Sequence, residues 1–326
     1  IPQDPAVPTV HAVTDTPGLH AALAAAQPGD VISLADGTYS GPFELTASGT
    51  AAAPIVVRGA SDDGTILDGG GCACNLFEIS GSFVHVERLT VQNALRGLRF
   101  KTATEANLVR RVRLRKVAFG IIGDPDQRDF YVCDNVVEGR LRWPHVYAND
   151  GGARASDDGI NMQGQGHVVC HNRIGGFGDA MKVEQDGARA CDFYGNEILT
   201  AYDNGVELDT SEGNTRCFRN RFTNTFVPIS FQPVFGGPAY ALRNVVVNIV
   251  EDQLKLYTRG PGEEPSGVVI AHNTFVSPHR MLEMASPATS HQLLLQNNLF
   301  VGPSAVAAPG VFWVGAIDGG LVDYNG

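Results

Sequence analysis

Short runs in which apolar and polar residues alternate recur along most of the chain. Early ones are "DVISLA", "PIVVRGA", "LFEIS", "FVHVERLTV", "GLRF" and "VRRVRLRKV". Later ones are "DDGINMQ" (157–163), "GDAMKVEQ" (178–185), "DNGVELDT" (203–210), "VPISFQP" (227–233), "DQLKLYT" (252–258) and "HRMLEMA" (279–285). Alternation of period two predicts strands, because successive side chains on a strand point to opposite faces. Helical periodicity is confined to "PGLHAALAAAQ" at 17–27, opened by Pro17-Gly18 and stopped by Pro28-Gly29-Asp30.

The strand-like runs are punctuated by asparagine: Asn135, Asn172, Asn196, Asn220, Asn244, Asn273, Asn298 and Asn325. Three successive intervals are 24 residues, and the first, 37 residues, is the longest. A fixed period of this size means one supersecondary unit repeated and stacked. With β-branched units and many turns, the expected fold is all-β: a single-stranded right-handed parallel β-helix, or solenoid. The helical stretch, within about 14–30, suits a cap over the first open coil. A single domain over 1–326 is expected. An Asn at a recurring turn can bond the turn backbone and the same residue one coil on.

Registering the coils on the Asn row sorts the later strands into faces. Ile160, Met162, Met181, Val183, Val206, Leu208, Ile229, Phe231, Leu254 and Leu256 turn inward. The outward residues form one row of Asn161, Lys182, Glu207, Ser230, Lys255 and Glu283. A second row holds Gln163, Glu184, Asp209, Gln232, Tyr257 and Ala285. Before the strands lie Asp157 with Asp158, Asp179, and Asp203 with Asn204. Parallel neighbours in a row are about 5 Å apart. Carboxylates at that spacing repel unless a cation or a proton intervenes. Oxygen ligands on rigid strands suit Ca²⁺, so Glu184, Glu207, Asp209 and Asp203 are the candidate metal ligands.

Two long intervals place the loops. "RLRWPHVYANDGGARAS" brings Trp143, His145 and Tyr147 as a groove wall, and "TRGPGEEPSG" follows Tyr257. Loops on a rigid scaffold commonly carry binding residues. Tyr202, Gln232 and Tyr257 complete the aromatic and polar contacts expected along such a groove. His167 and His171 stand alone by spacing and read as structural.

Composition narrows the class. The formal charge is -11, which disfavours nucleic acid. No run of 18 apolar residues exists, so no membrane span is expected. Nine of the 24 basic residues lie between Arg88 and Lys116. Arg99 and Lys101 are the candidates there for contact with an anionic chain, since a guanidinium matches carboxylate or sulfate geometry. Cys133 and Cys170, each two residues before a rung, are placed for a disulfide. Cys72-Ala-Cys74 would close a small, strained ring, and Cys191 and Cys217 are looser neighbours. The opening "IPQDPAVPTV" has no initiator Met and reads as a processed start, so a secreted or periplasmic monomer is expected.

The segments "LHAALAAAQPGDVISLADGTYSG", "GTAAAPIVVRGA" and "TILDG" resemble the N-terminal coils of the alginate lyase and chondroitinase B family, over roughly residues 17–70. The later coils match only as generic β-helix repeats. The resemblance implies a right-handed parallel β-helix that cleaves acidic polysaccharides by β-elimination. It further implies a Lys as base, an Arg assisting, and Ca²⁺ on acidic residues neutralising the uronate carboxylate. Lys182 resembles the family base by context. Lys255 is the reserve, with Arg259 following it and Arg219 and Arg243 as further candidates for the Arg. Two alternatives stand beside this reading. "SDDG" and "GQGH" echo polygalacturonase-type hydrolases, in which Asp158 and Asp179, or Asp179 and Asp203, would flank a water. A non-catalytic carbohydrate-binding β-helix would need only the aromatic groove.

Overall fold

The computed structural model describes residues 2–143, 156–184, 187–251, 253–276, 289–302 and 315–326. His145, Tyr147, Glu283 and Ala285 lie outside the described residues. The chain is all-β, a right-handed parallel β-helix with a short N-terminal helix. It resolves into two compact units, residues 1–140 with 158–173, and residues 141–157 with 174–326.

In the first unit, strands from successive coils pair in parallel, and their inward residues stack. Ile32, Val57, Val86, Val109, Val132 and Val169 form one such column through consecutive registers. Phe43, Phe77, Leu98, Ile121 and Ile160 form another. All are buried. β-Branched residues suit these columns because each packs on its counterpart one coil away. The helix α1 runs Thr16–Ala25, ending slightly before the expected stretch. Asp15 caps it by accepting from the Gly18 amide at 2.8 Å. Leu19 and Leu23 are its buried residues, and they seal the first coils. No helix among the described residues is long and apolar enough to cross a membrane.

The second unit repeats the plan. Phe193, Cys217, Ala241, Ile270, Leu295 and Val322 stack in register. So do Ile198, Phe222, Val246, Phe275 and Phe300.

The asparagine rungs clamp each coil to the one before. Asn244 Oδ1 accepts from both the backbone N–H and the side-chain amide of Asn220, at 3.0 and 3.1 Å. Its own Nδ2 donates back to the Cys217 carbonyl at 3.0 Å. The same bonds recur at Asn172, Asn273, Asn298 and Asn325. The ladder begins at Asn135, whose Oδ1 accepts from the Val112 amide at 3.0 Å. Asn107 makes a similar bond with the Val84 amide, but at a different turn, just before the strand Leu108–Arg110, so it lies outside the row. Residues preceding the rungs hold left-handed backbone, including Asp134, His171, Arg219, Arg243 and His272. His171 is therefore a turn residue. His167 is buried, accepts from the Phe130 amide and has a ring held neutral, its pKa lowered by burial to about 4.

Cys133 and Cys170 are bonded across adjacent coils, as their spacing predicts. Cys72 and Cys74 are also joined. Cys191 and Cys217 are buried thiols outside any disulfide.

Candidate functional site

The strand Asp179–Val183 pairs in parallel with Glu197–Glu207, setting Met181 beside Val206 and Lys182 beside Glu207. Arg221–Ser230 then sets Ile229 beside Val206 and Ser230 beside Glu207. Lys255 bridges to Ser230. Met181, Val206 and Ile229 are fully buried. A slip of one residue would turn this apolar set outward, so the register of Lys182, Glu207, Ser230 and Lys255 is firmly specified.

Around this row the polar groups interlock. Lys182 is only 9% exposed. Its Nζ lies 3.5 Å from Asp179 Oδ2 and 3.1 Å from Glu184 Oε2. The Asn204 amide nitrogen donates to Asp179 Oδ1 and to Glu207 Oε2, both at 3.0 Å, and its backbone N–H donates to the same Asp179 oxygen. Asp209 Oδ1 accepts from the Ser230 hydroxyl at 2.8 Å and from the Gln232 backbone N–H at 2.6 Å. Lys255 Nζ sits 5.4 Å from the centre of the Tyr257 ring, within cation–π range.

The electrostatics follow from this crowding. Burial, reinforced by Asp179, pushes Glu207 up to about 8 against the pull of Lys182. Burial likewise pushes Asp209 up to about 8, with the Glu207 charge adding to it. Asp203 is raised by burial and drawn back by Lys255 and Lys182. Three acids of one coil, Asp203 and Glu207 on a single strand and Asp209 just past its end, are thus short of positive charge.

The remaining candidates take other places. Trp143 and Tyr202 meet with ring centres 6.1 Å apart, and Tyr202 is buried. Arg259 is exposed in the loop after Tyr257. In the first unit Asp158 accepts from Asn161 at 2.9 Å. Arg99 and Lys101 are both held by Asp124, at 2.8 and 3.3 Å. The basic stretch around them is similarly answered by acids: Arg110 by Glu87, and Arg113 by Asp62 and Asp63. For these four residues clustering in sequence becomes ion pairing in space, whereas Arg88 and Arg115 donate to the Ala60 carbonyl and to Gln92. Asn204 is the residue that sequence reasoning missed as a partner. Sequence proximity pairs it with Asp203, yet it lies two residues before Val206 as Asp179 lies two before Met181. That register offset is the signal that identifies it.

Three potential metal-ligand atoms converge within 4.8 Å among the described residues at Asp4, His85 and Glu87. Arg58 and Arg110 reach the same carboxylates, at 2.7 Å from Asp4 and 2.6 Å from Glu87 respectively. These guanidinium groups already supply the positive charge that a cation would bring.

No protein-family model matches the chain, and no curated protein sequence matches it. Solved structures do. An alginate lyase from Paenibacillus sp. str. FPU-7 superposes with a TM-score of 0.58 at 18% identity, covering 90% of this chain and 98% of that one. A PL6 family polysaccharide lyase from Pseudopedobacter saltans gives 0.54 at 11%, over 96% and 92%. A GH136 lacto-N-biosidase from Eubacterium ramulus gives 0.54 at 11%, over 97% and 67%. The fold is therefore a parallel β-helix of the kind these proteins share. At these identities the likeness establishes the fold, which by itself hosts more than one chemistry.

Proposed function

We propose that this protein is a polysaccharide lyase that cleaves a uronate-containing polysaccharide by β-elimination. The observation that carries the reading is the row Lys182–Glu207–Ser230–Lys255, which sets two lysines along one rigid face beside acids short of counter-charge. Two of the most similar folds belong to an alginate lyase and a PL6 polysaccharide lyase, which supports the same chemistry.

In the reaction, the C5–H bond of the uronate breaks and its proton passes to Lys182 Nζ. The electron pair forms the C4–C5 double bond, and the C4–O4 bond breaks with O4 leaving on the other sugar, taking a proton from the Lys255 ammonium or from water. Asp179 and Glu184 hold the Lys182 amine in place. They also favour its ammonium form, so turnover requires relief of their charge. Lys255, backed by Tyr257 and followed by Arg259, meets the substrate carboxylate or the departing oxygen. Gln232 and Trp143 contact flanking sugars.

The donor set has the chemistry of a hard-cation site without its assembled geometry: among the described residues three ligand atoms converge within 4.8 Å at Asp4, His85 and Glu87, and not here. Glu207, Asp209 and Asp203 offer oxygen donors held above the ordinary carboxylate range, and the buried Asn204 Oδ1 has no hydrogen-bond partner. These residues, with Glu184, would hold Ca²⁺. A bound Ca²⁺ would neutralise the uronate carboxylate and so acidify C5.

The test is incubation with alginate, pectate, chondroitin and glucuronan, followed by ultraviolet absorbance of the unsaturated uronate. Absorbance that disappears in Lys182→Ala, with circular dichroism unchanged, is the expected result. New reducing ends without that absorbance would instead assign a hydrolase built on Asp158, Asp179 or Asp203. Retention on a polysaccharide column without either product would assign a binding protein.

A further inference from the structure

A cavity of about 700 Å³ opens in the first coils, between α1 and the strands Phe43–Leu45 and Thr65–Ile79. That volume lies within the range of small-molecule sites. His20 and Leu23 line it from the helix, Pro42 and Glu44 from one coil, and Asn75 and Glu78 from the next. We propose that this cavity binds a neutral, hydroxyl-rich sugar residue, independently of any elimination activity.

The frame is rigid. Phe43 and Phe77 are register partners, packed edge to face at 6.5 Å, and the His20 ring lies 5.0 Å from Phe43. These contacts fix α1 over the coils. Glu44 and Glu78 are themselves register partners. Their neighbours Phe43, Leu45, Phe77 and Ile79 are buried, so alternation turns both carboxylates to the same outer face, about 5 Å apart. Asn75 donates to Glu78 Oε2 at 2.6 Å, which orients that carboxylate before any ligand arrives. Cys74 forms part of the wall and is tied to Cys72.

The lining chemistry selects the ligand. Ionised carboxylates only accept hydrogen bonds, so the cavity asks for donors. No Lys or Arg lines it, and two carboxylates repel a uronate or a sulfate. An ammonium ligand is disfavoured from the other side. Lys101 Nζ already stands 4.0 Å from Glu78, and Arg99 is the register partner of Glu78 in the next coil. An uncharged ligand with many hydroxyls satisfies both constraints. Pro42 and the exposed His20 ring offer apolar surface to its C–H face.

The experiment is calorimetric titration of the full chain with mannotetraose, cellotetraose and xylotetraose, and in parallel with a mannuronate tetramer. At least one neutral tetrasaccharide should bind saturably. Glu44→Ala and Glu78→Ala should each weaken it about tenfold, as expected for loss of a charge-assisted hydrogen bond. Ala24→Trp fills the cavity from an exposed helix position and should abolish binding, while Ala25→Trp, which does not line it, should not. The proposal is overturned if no neutral tetrasaccharide binds, or if Ala24→Trp and the Glu variants bind as the parent does. It is equally overturned if the mannuronate tetramer is the ligand displaced by Ala24→Trp. Lyase assays on the same variants keep this result separate from the elimination reading.

Discussion

Glu207 holds its proton to about 8 in the folded chain, against an ordinary value of 4.5. Between those values the native state binds the extra proton, so its contribution to stability declines as pH rises through that window and is lost above it. Glu207→Gln should therefore melt a few degrees higher than the parent above pH 8 and alike below the ordinary carboxyl range. Thermal scans at several pH values check this, and equal melting throughout would show that Glu207 is ionised and well solvated. The same sign governs cation binding, since ligands must shed their protons first. Calcium affinity should climb with pH up to about the Glu207 and Asp209 values, and added Ca²⁺ should flatten the pH dependence of the melt. Cys217 gives a simpler expectation. Burial pushes its thiol up to about 12, and Cys191 is also enclosed. A thiol reagent should find no reactive cysteine in the native protein and two after denaturation; rapid native labelling would contradict the burial.

At the scale of the coil, the Asn rungs are the elements most open to mutation. Asn244→Ala would leave the Asn220 backbone N–H without its acceptor and the Cys217 carbonyl without its side-chain donor, while the Asn220 side-chain amide keeps the Phe193 carbonyl. One buried donor unmet should cost about 1–3 kcal/mol, read by chemical denaturation; a loss under about 0.5 kcal/mol would mean that water replaces the rung. These rungs were legible in the sequence because Asn is rare enough to show its own period. The inward columns were legible because alternation has one solution per strand. What escaped was partnership between coils. Asp124 beside Arg99 and Lys101, and Asn204 beside Asp179, depend on register at a resolution that repeat spacing does not carry. The cavity under α1 escaped for a related reason. Its lining comes from residues 20 to 78, and nothing local in those segments departs from an ordinary helix or strand.

The whole molecule carries a formal charge of -11, and a polyuronate shares its sign. Encounter is therefore slowed at low ionic strength and eased as salt screens the repulsion, over a Debye length of about 10 Å at 0.1 M. Elimination measured as kcat/KM should rise with modest added NaCl, whereas binding of a neutral tetrasaccharide should not respond. A fall in kcat/KM from the first addition would place an attractive cationic track on the surface, contrary to the neutralised arginines of the first unit. The direction of the asparagine ladder has a consequence for how the chain is made. Every rung reaches back: its carbonyl oxygen accepts from the coil before, and its amide donates to that coil's carbonyl. A coil's turn is thus completed only by the coil synthesised after it. On the ribosome the growing solenoid would always carry one open turn at its leading edge, and each newly emerged asparagine would close the last one, so that order of synthesis and order of assembly coincide.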